Sequence, residues 1–572
     1  MDKGISRRSF LTGAGVLGAA AAASMAGCAP KSLAETSAAP ENSKFNSDGT
    51  PTFLNTPDPI DPSLITETLE ADVCVVGLGV AGSCATRSAA ENGLKVIAVE
   101  RCAQPSAHSG QFAAFNSEAA RKMGLEEIST TELVNEMMIQ TGHRADARVL
   151  KNWADHAGEA FDWYISAYDG LKWNTDGADI DPDKDVYVNM SNKFRSYNPE
   201  TDHEHVVVGT LSLLAPERAG HQPIMFANVD AAVATGNAET YFNKRARQLV
   251  KTDDRVTGVI VEDILEGTYT QINASKGVVL ATGGYVRNDD LIAYYLPWIH
   301  AQKDLFSFTY PHTDANGDWT DQGDGMLMGH WAGGYIEDGP HCAMAHGDLG
   351  KLGVDAFLQL NNLGERYINE DLTNDHFASA ILRQPDACVF QIFDAGWVEQ
   401  VEKMQPGLGT VNKAKPEMIE TVNEWTTAHG DTIEEMIANL EVDDEVAATM
   451  KREIERYNEL CEKGVDEDFG KSVAFMFALK NPPFYAIRYQ LTGGPSTENA
   501  NAVRCLVTMS GLSSNKNAQV LDKQHHVVPG LYAIGNTQGG RYLGDYPATL
   551  AGASHSIALT YGYLVGKVLA EQ

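Results

Sequence analysis

The chain has little of what a metal, haem or nucleic-acid protein needs. Its eight cysteines, at 28, 74, 84, 102, 342, 388, 461 and 505, include no CxxC, no CxxCH and no paired spacing. That excludes haem attachment and iron–sulfur ligation within the chain and leaves no metal-ligand pattern. Cys74 reads as a small core residue in mid-strand. Basic residues are scarce: 44 Lys and Arg stand against 77 acids, a net charge of −33. This balance argues against nucleic acid or anionic membrane as a partner, and a solvated acidic surface accounts for it. Past the N-terminal segment no apolar run reaches the roughly twenty residues of a membrane span. What the chain does have is bulk, with 572 residues and 43% hydrophobic content, so two or more domains with large cores are expected.

One stretch organises the rest. Val73-Cys74-Val75-Val76 enters Gly77-Leu78-Gly79-Val80-Ala81-Gly82, an Ala-rich helical segment follows, and a second apolar run from Val96 to Val99 ends on Glu100. Strand, glycine turn, helix, strand and terminal acid are the parts of a dinucleotide-binding βαβ unit. Gly77 permits the tight turn, Gly79 lets the backbone approach a pyrophosphate, and Gly82 lets helix and strand close up. The helix N-terminus offers unpaired N–H groups to the anion, and Glu100 is placed to accept hydrogen bonds from a ribose. A glycine turn in any α/β domain imitates part of this pattern; the parts together, in register, favour the nucleotide.

Residues 1–30 read as a targeting segment outside the fold. Ser6-Arg7-Arg8-Ser9-Phe10-Leu11 is a twin-arginine signal, and Met25-Ala26-Gly27-Cys28 reads as a lipobox that leaves Cys28 acylated, ordinary cleavage being the alternative. Residues 31–65, rich in Ala, Ser, Pro and Asn, read as a flexible linker. Residues 66–290 form the first part of the nucleotide domain: a helix leads into a strand between Gln222 and Val250, a small hairpin follows, and Gly277-Val278-Val279-Leu280 runs into Ala281-Thr282-Gly283-Gly284. From 291 to 440 the strand–glycine–helix rhythm disappears, as expected of an inserted cap. Residues 441–572 recover it, through Pro529-Gly530-Leu531-Tyr532-Ala533-Ile534-Gly535-Asn536 and a last helix from about Gly552.

Taken together, these stretches, with Gly323-Asp324-Gly325, Gly364-Glu365-Arg366-Tyr367-Ile368-Asn369-Glu370 and Thr508-Met509-Ser510-Gly511-Leu512, resemble the fumarate reductase/succinate dehydrogenase flavoprotein family from residue 72 onward. The resemblance is to an exported, anaerobic respiratory branch, with some likeness to 3-oxosteroid dehydrogenases. It implies FAD and an α/β fold: a Rossmann-like FAD-binding domain with an inserted α+β capping domain over the active site. It also implies cofactor contacts at Gly77, Gly79, Gly82, Glu100, Gly110, Val250, Ala281, Thr282, Gly283, Asp324 and Asn536. Gly552, Ala553 and Ser554 open the last helix toward the negative charge of reduced flavin. His108 lies near the position where succinate dehydrogenases bond a histidine covalently to FAD, but the spacing to the following Gln and Asn differs.

The departures bear on the acceptor. Where fumarate reductases carry a proton-donating arginine, this chain has Asn374, and Leu506-Val507 stand where a histidine precedes Thr508. The family's Asn-Arg-Leu-Gly carboxylate clamp is replaced by Gly539-Gly540-Arg541-Tyr542-Leu543-Gly544-Asp545-Tyr546-Pro547. A dicarboxylate loses most of its charge-assisted contacts here. The expected activity is reduction of an activated C=C bond in a small organic acceptor, not a simple dicarboxylate, by hydride transfer from FAD. Tyr546 is the candidate acid or carbonyl donor, Arg541 the candidate polarising group, and His346 a third candidate. The bland readings are that Tyr546 packs beneath the flavin, Arg541 ion-pairs, and His346 is a satisfied structural histidine. With no haem motif in the chain, electrons are expected from a separate membrane-linked cytochrome or flavin carrier, in the periplasm or at the outer face of the membrane. The alternatives are a 3-oxosteroid dehydrogenase, a fumarate reductase and a non-catalytic flavin-binding lipoprotein.

Overall fold

The computed structural model describes residues 44–106, 108, 110–175, 185–193, 209–214, 221–308, 312–347, 356–371, 374–403, 419–420, 422–424, 426–491, 503–544, 546, 550 and 552–572. The twin-arginine stretch, Cys28, Asp545 and Pro547 lie outside the described residues. Residues 44–56 belong to a unit of their own, in which Phe45 bridges to Pro51 and a short 3-10 turn covers Thr52–Leu54.

The unit Pro57–Gln572 is organised by a mixed sheet. Its strands are β1 (Ile65–Val76), β2 (Val96–Val99), β3 (Ala238–Tyr241), β4 (Lys244–Thr252), β5 (Arg255–Asp263), β6 (Tyr269–Leu280), β7 (Gln519–Leu521) and β8 (Val527–Ala533). The order across the sheet is β7-β8-β6-β1-β2-β3, with β4 and β5 folding back on β6 as an antiparallel meander. β8, β6, β1, β2 and β3 run parallel. Val73, Cys74 and Val75 are fully buried, because a central parallel strand has both faces covered and therefore reads as an unbroken apolar run.

Two helices beside this sheet pack on each other by close backbone approach. α1 (Val80–Glu91) follows the glycine turn, and α2 (Ala553–Ala570) is the last element. A Cβ at Gly562 would come 2.4 Å from the Ala81 oxygen, and one at Gly566 2.4 Å from the Ala89 nitrogen. Glycines one turn apart on α2 therefore seat the C-terminal helix directly on the helix of the βαβ unit, which ties the two ends of the nucleotide domain together.

The insertion has a sheet of its own, Leu358–Asn361, Cys388–Asp394, Phe484–Gln490 and Ala428–Gly430 in spatial order, all antiparallel. Its apolar face packs on Met436, Met450, Ile454 and Tyr457. The Gly364–Glu370 motif is clamped from inside: Arg366 pairs with Glu370 and Asp466, each at 2.8 Å, and Lys471 stands 3.2 Å from Glu370. The helix Asp444–Lys463 and the strand Phe484–Gln490 belong to this layer. The boundary expected at 440 therefore falls inside it, and the insertion continues to about Gln490. The strand at 484–490 pairs with 388–394 and 428–430, a long-range pairing that a change of rhythm along the chain cannot signal.

Candidate functional site

The carboxyl ends of β1, β2, β6 and β8 open on one edge, where open α/β sheets hold their ligands. Gly77, at φ +95°, turns the chain out of β1, and a Cβ there would meet the Ala281 oxygen at 2.5 Å. A Cβ at Gly82 would lie 1.8 Å from the Gly77 oxygen. Both glycines are demanded by the protein's own packing. Gly79 is not, since no described residue lies within 4 Å of a Cβ built there. Open space over a glycine that caps α1 fits a diphosphate lying against the unpaired N–H groups of the helix.

Glu100 follows β2 and is held by the same turn: Oε2 accepts the Leu78 N–H at 2.8 Å and Oε1 the Cys102 N–H at 2.9 Å. Burial pushes its pKa up, and those N–H groups oppose the shift. After β6, Ala281 donates to the Val76 oxygen at 2.8 Å. Thr282 donates its N–H to Thr537 Oγ1 at 3.1 Å, its hydroxyl oxygen accepts the Gly325 N–H at 3.1 Å, and the Gly283 carbonyl accepts from the Thr537 hydroxyl at 3.1 Å. Asp324 heads the helix Asp324–Trp331 and pairs with Arg101 at 3.3 Å and Arg245 at 3.2 Å. Gly110 is buried, with its carbonyl accepting the Leu213 N–H at 2.7 Å. His108 stacks on His312 with centroids 5.5 Å apart, and burial lowers its pKa to about 4. Val250 is not brought to this edge. Lys244, at the start of β4, donates to the Glu100 oxygen at 2.9 Å, whereas Val250 lies toward the other end of the strand, opposite Gly258.

The loop after β8 assembles the second half of the site. Asn536 Oδ1 accepts from Arg541 Nη2 at 3.2 Å and from the Ser554 hydroxyl at 3.3 Å, so it links Arg541 to the first turn of α2. Gly552 has φ +72°, and a Cβ there would come 2.5 Å from the Phe112 nitrogen; α2 then begins at Ala553. Arg541 is wholly buried. Nε donates to the Gln538 oxygen and Nη2 to the Met509 oxygen, each at 3.0 Å. Tyr546 is 4% exposed; its hydroxyl accepts the Ser554 N–H at 3.4 Å, and its ring meets that of Tyr542 edge-on. His346 lies on the strand Ala343–Gly347 opposite Arg504; its side chain is outside the described residues, as is that of Asn374.

Several buried polar atoms here find no hydrogen-bond partner among the described residues: Arg541 Nη1, the Tyr542 hydroxyl, and both Nε2 and Oε1 of Gln538. Leaving such groups unmet costs about 1–3 kcal/mol each, so each calls for a ligand. Gln538, with an unmet donor and an unmet acceptor, suits the carbonyl and N–H groups of a flavin pyrimidine edge, and Arg541 Nη1 and the Tyr542 hydroxyl are donors left for a second ligand. Tyr542, Gln538 and the nearby Glu337 are not evident in the sequence. Tyr542 stands beside a candidate arginine, but its orphaned hydroxyl is a property of the fold, and Glu337 is one acid among many.

A model of the FAD binding domain family matches residues 72–549. The chain belongs to this family. It is 26% identical to the fumarate reductase (cytochrome) of Shewanella frigidimarina, over 87% of this chain and 77% of that protein. It is 24% identical to the vinyl phenol reductase of Lactiplantibacillus plantarum, over 87% and 96% respectively. The fold is shared with the 3-ketosteroid-Δ4-(5α)-dehydrogenase of Rhodococcus jostii, with a TM-score of 0.68 and 21% identity over 90% of this chain and all of that one. The protein is an FAD-dependent oxidoreductase, and its relatives reduce C=C bonds.

Proposed function

We propose that this flavoprotein reduces an activated C=C bond, conjugated to a carbonyl or an aromatic ring, in a small uncharged acceptor. The observation that carries this reading is the pair of orphaned donors, Arg541 Nη1 and the Tyr542 hydroxyl, buried beside Asn536 and the start of α2. Bound FAD supplies the hydride. Gly77, Gly79, Gly82, Glu100, Gly110, Ala281, Thr282, Gly283, Asp324, Asn536, Gln538, Gly552, Ala553 and Ser554 are the residues proposed to hold the cofactor.

The chain's own groups do the rest. Burial holds the Tyr542 pKa well above the usual phenol value, so this side chain remains a hydrogen-bond donor across the neutral range and can polarise an acceptor oxygen. Arg541 adds positive charge, but only Nη1 is uncommitted. The fork that grips a carboxylate through two parallel bonds is already spent on Met509, Gln538 and Asn536. A dicarboxylate is therefore poorly served, and a neutral carbonyl needs no more than single donors. Tyr546, touching both Tyr542 and the α2 N-terminus, is the first candidate for the proton donor, and His346 is kept as another. Tyr546→Phe is expected to lower kcat by about 100-fold while FAD content stays normal, as a flavin absorption spectrum and steady-state assay of the same sample would read. Unchanged turnover removes Tyr546 from the mechanism.

The same tyrosine pair also suits the 3-oxo group of a steroid, which keeps an oxidative steroid dehydrogenase as the second reading; assays in both directions separate the two. The twin-arginine signal and the relative named fumarate reductase (cytochrome) support export and a separate membrane-linked cytochrome or flavin carrier as electron donor, with Cys28 as the proposed point of lipid attachment. Among the described residues no helix is long and apolar enough to cross a membrane.

A further inference from the structure

Glu337 is a buried carboxylate that the proposed chemistry leaves unused. Oε1 accepts the Gly511 N–H at 3.0 Å and Oε2 the Gly540 N–H at 2.7 Å. A Cβ at Gly539 would come 2.8 Å from Oε2, so the glycine pair is what lets the loop close over the carboxylate. Arg541 is the next residue along, and its attraction for Glu337 is opposed by burial, which pushes the carboxyl pKa up to about 7. The remaining groups that face this pair are few. Ser510 and the Tyr285 phenol interact with Glu337 itself, and Cys342, Tyr542, Tyr546 and Tyr561 interact with Arg541. His341 donates Nε2–H to the Glu337 main-chain oxygen at 2.9 Å, and its pKa is lowered to about 4, so it is neutral. Asp338 faces outward and accepts from the Tyr335 hydroxyl at 2.5 Å. Residues 338–340 are exposed.

On its other side, Arg541 bonds Asn536, and Asn536 bonds Ser554 in the first turn of α2. One buried cation thus interacts electrostatically with the Glu337 carboxylate and, through Asn536, reaches the place proposed for the flavin. It can compensate only one negative charge at a time, and a second would be left unpaired in a low-dielectric interior.

We propose that Glu337 is the redox-linked proton acceptor of this protein, ionised against Arg541 while FAD is oxidised and protonated when FAD is reduced. Two electrons come from the external donor and two protons from water. One proton enters the cofactor with the electron pair, the other neutralises the Glu337 carboxylate, and the charge of Arg541 is left to compensate the reduced cofactor. On reoxidation a hydride leaves with the acceptor and Glu337 releases its proton, which balances the proton the acceptor consumes. Glu337 acts through Arg541 and is a positioning residue. The inference rests on FAD lying beside Arg541 and not on the identity of the acceptor.

The test is a proton count on the holoenzyme. During anaerobic electrochemical reduction at pH 8 in weak buffer, with a pH-indicator dye, the wild type is expected to take up about two protons per electron pair and Glu337→Gln about one. Asp321→Asn, which removes another buried acid whose pKa is raised by burial, is expected to keep the wild-type count. Equal counts for wild type and Glu337→Gln overturn the proposal. If Glu337→Gln fails to retain FAD, the reduced-minus-oxidised infrared spectrum of the wild type decides: a new buried carboxylic-acid band on reduction supports the proposal, and no such band overturns it. A protein that reduces no enone at all still gives the same count, so failure of the acceptor reading is separately visible.

Discussion

Tyr542→Phe is expected to stabilise the apoprotein by about 1 kcal/mol and to lower kcat by about 100-fold. The two signs are opposite because the hydroxyl is fully buried without a partner among the described residues, so the fold bears its desolvation and a ligand is expected to satisfy it. Removing one oxygen leaves the ring packed on Tyr546, with the Arg541 guanidinium 5.4 Å from its centroid. Thermal melts of apoprotein and steady-state rates of holoprotein measure the two halves. A variant that loses stability and activity together would show that Tyr542 is a structural residue.

The second large effect is expected at the glycine turn, where neighbouring positions should behave differently. Gly82→Ala forces a Cβ to within 1.8 Å of the Gly77 oxygen, main chain that can yield only by moving α1 off the sheet. Overpacking of this kind costs about 1–3 kcal/mol or more, and the protein is expected to purify colourless. Gly79→Ala meets no atom of the described residues within 4 Å and sits at an ordinary φ of −60°. Its apoprotein is expected to melt within about 0.5 kcal/mol of wild type, while FAD affinity falls at least about tenfold because the methyl occupies the space proposed for the diphosphate. Calorimetry of apoprotein with FAD titration reads both. Normal FAD affinity in Gly79→Ala contradicts the placement of the cofactor.

The parts legible in the sequence are those whose signal is local. Gly77 and Gly82 are required by contacts within a few residues or at the next strand end, and Glu100 sits directly after β2, so motif spacing alone brings them to one edge. The strands ending at Leu280 and Ala533 carry the same strand-into-glycine pattern, and the sheet sets them beside β1 in turn. Arg541 was visible as a departure from a family motif, although its burial and its grip on Met509 were not.

What was illegible depends on distance along the chain. Glu337 bonds residues 174 and 203 positions away, and in a chain with 77 acids no pattern distinguishes it. Val250 shows that a strand can be recognised without knowing which end faces the site. The strand at 484–490 shows the same for domain limits, since its partners lie at 388–394 and 428–430.

The central claim is that the acceptor is an uncharged conjugated alkene. It is tested most directly by reducing the holoenzyme anaerobically with a dye and following reoxidation of the flavin by stopped flow against enones, vinyl phenols, steroids and fumarate. The account predicts that an uncharged conjugated acceptor reoxidises the flavin at least about 100-fold faster than fumarate, the loss expected when charge-assisted contacts to a dicarboxylate are missing. Fumarate as the fastest acceptor would contradict it.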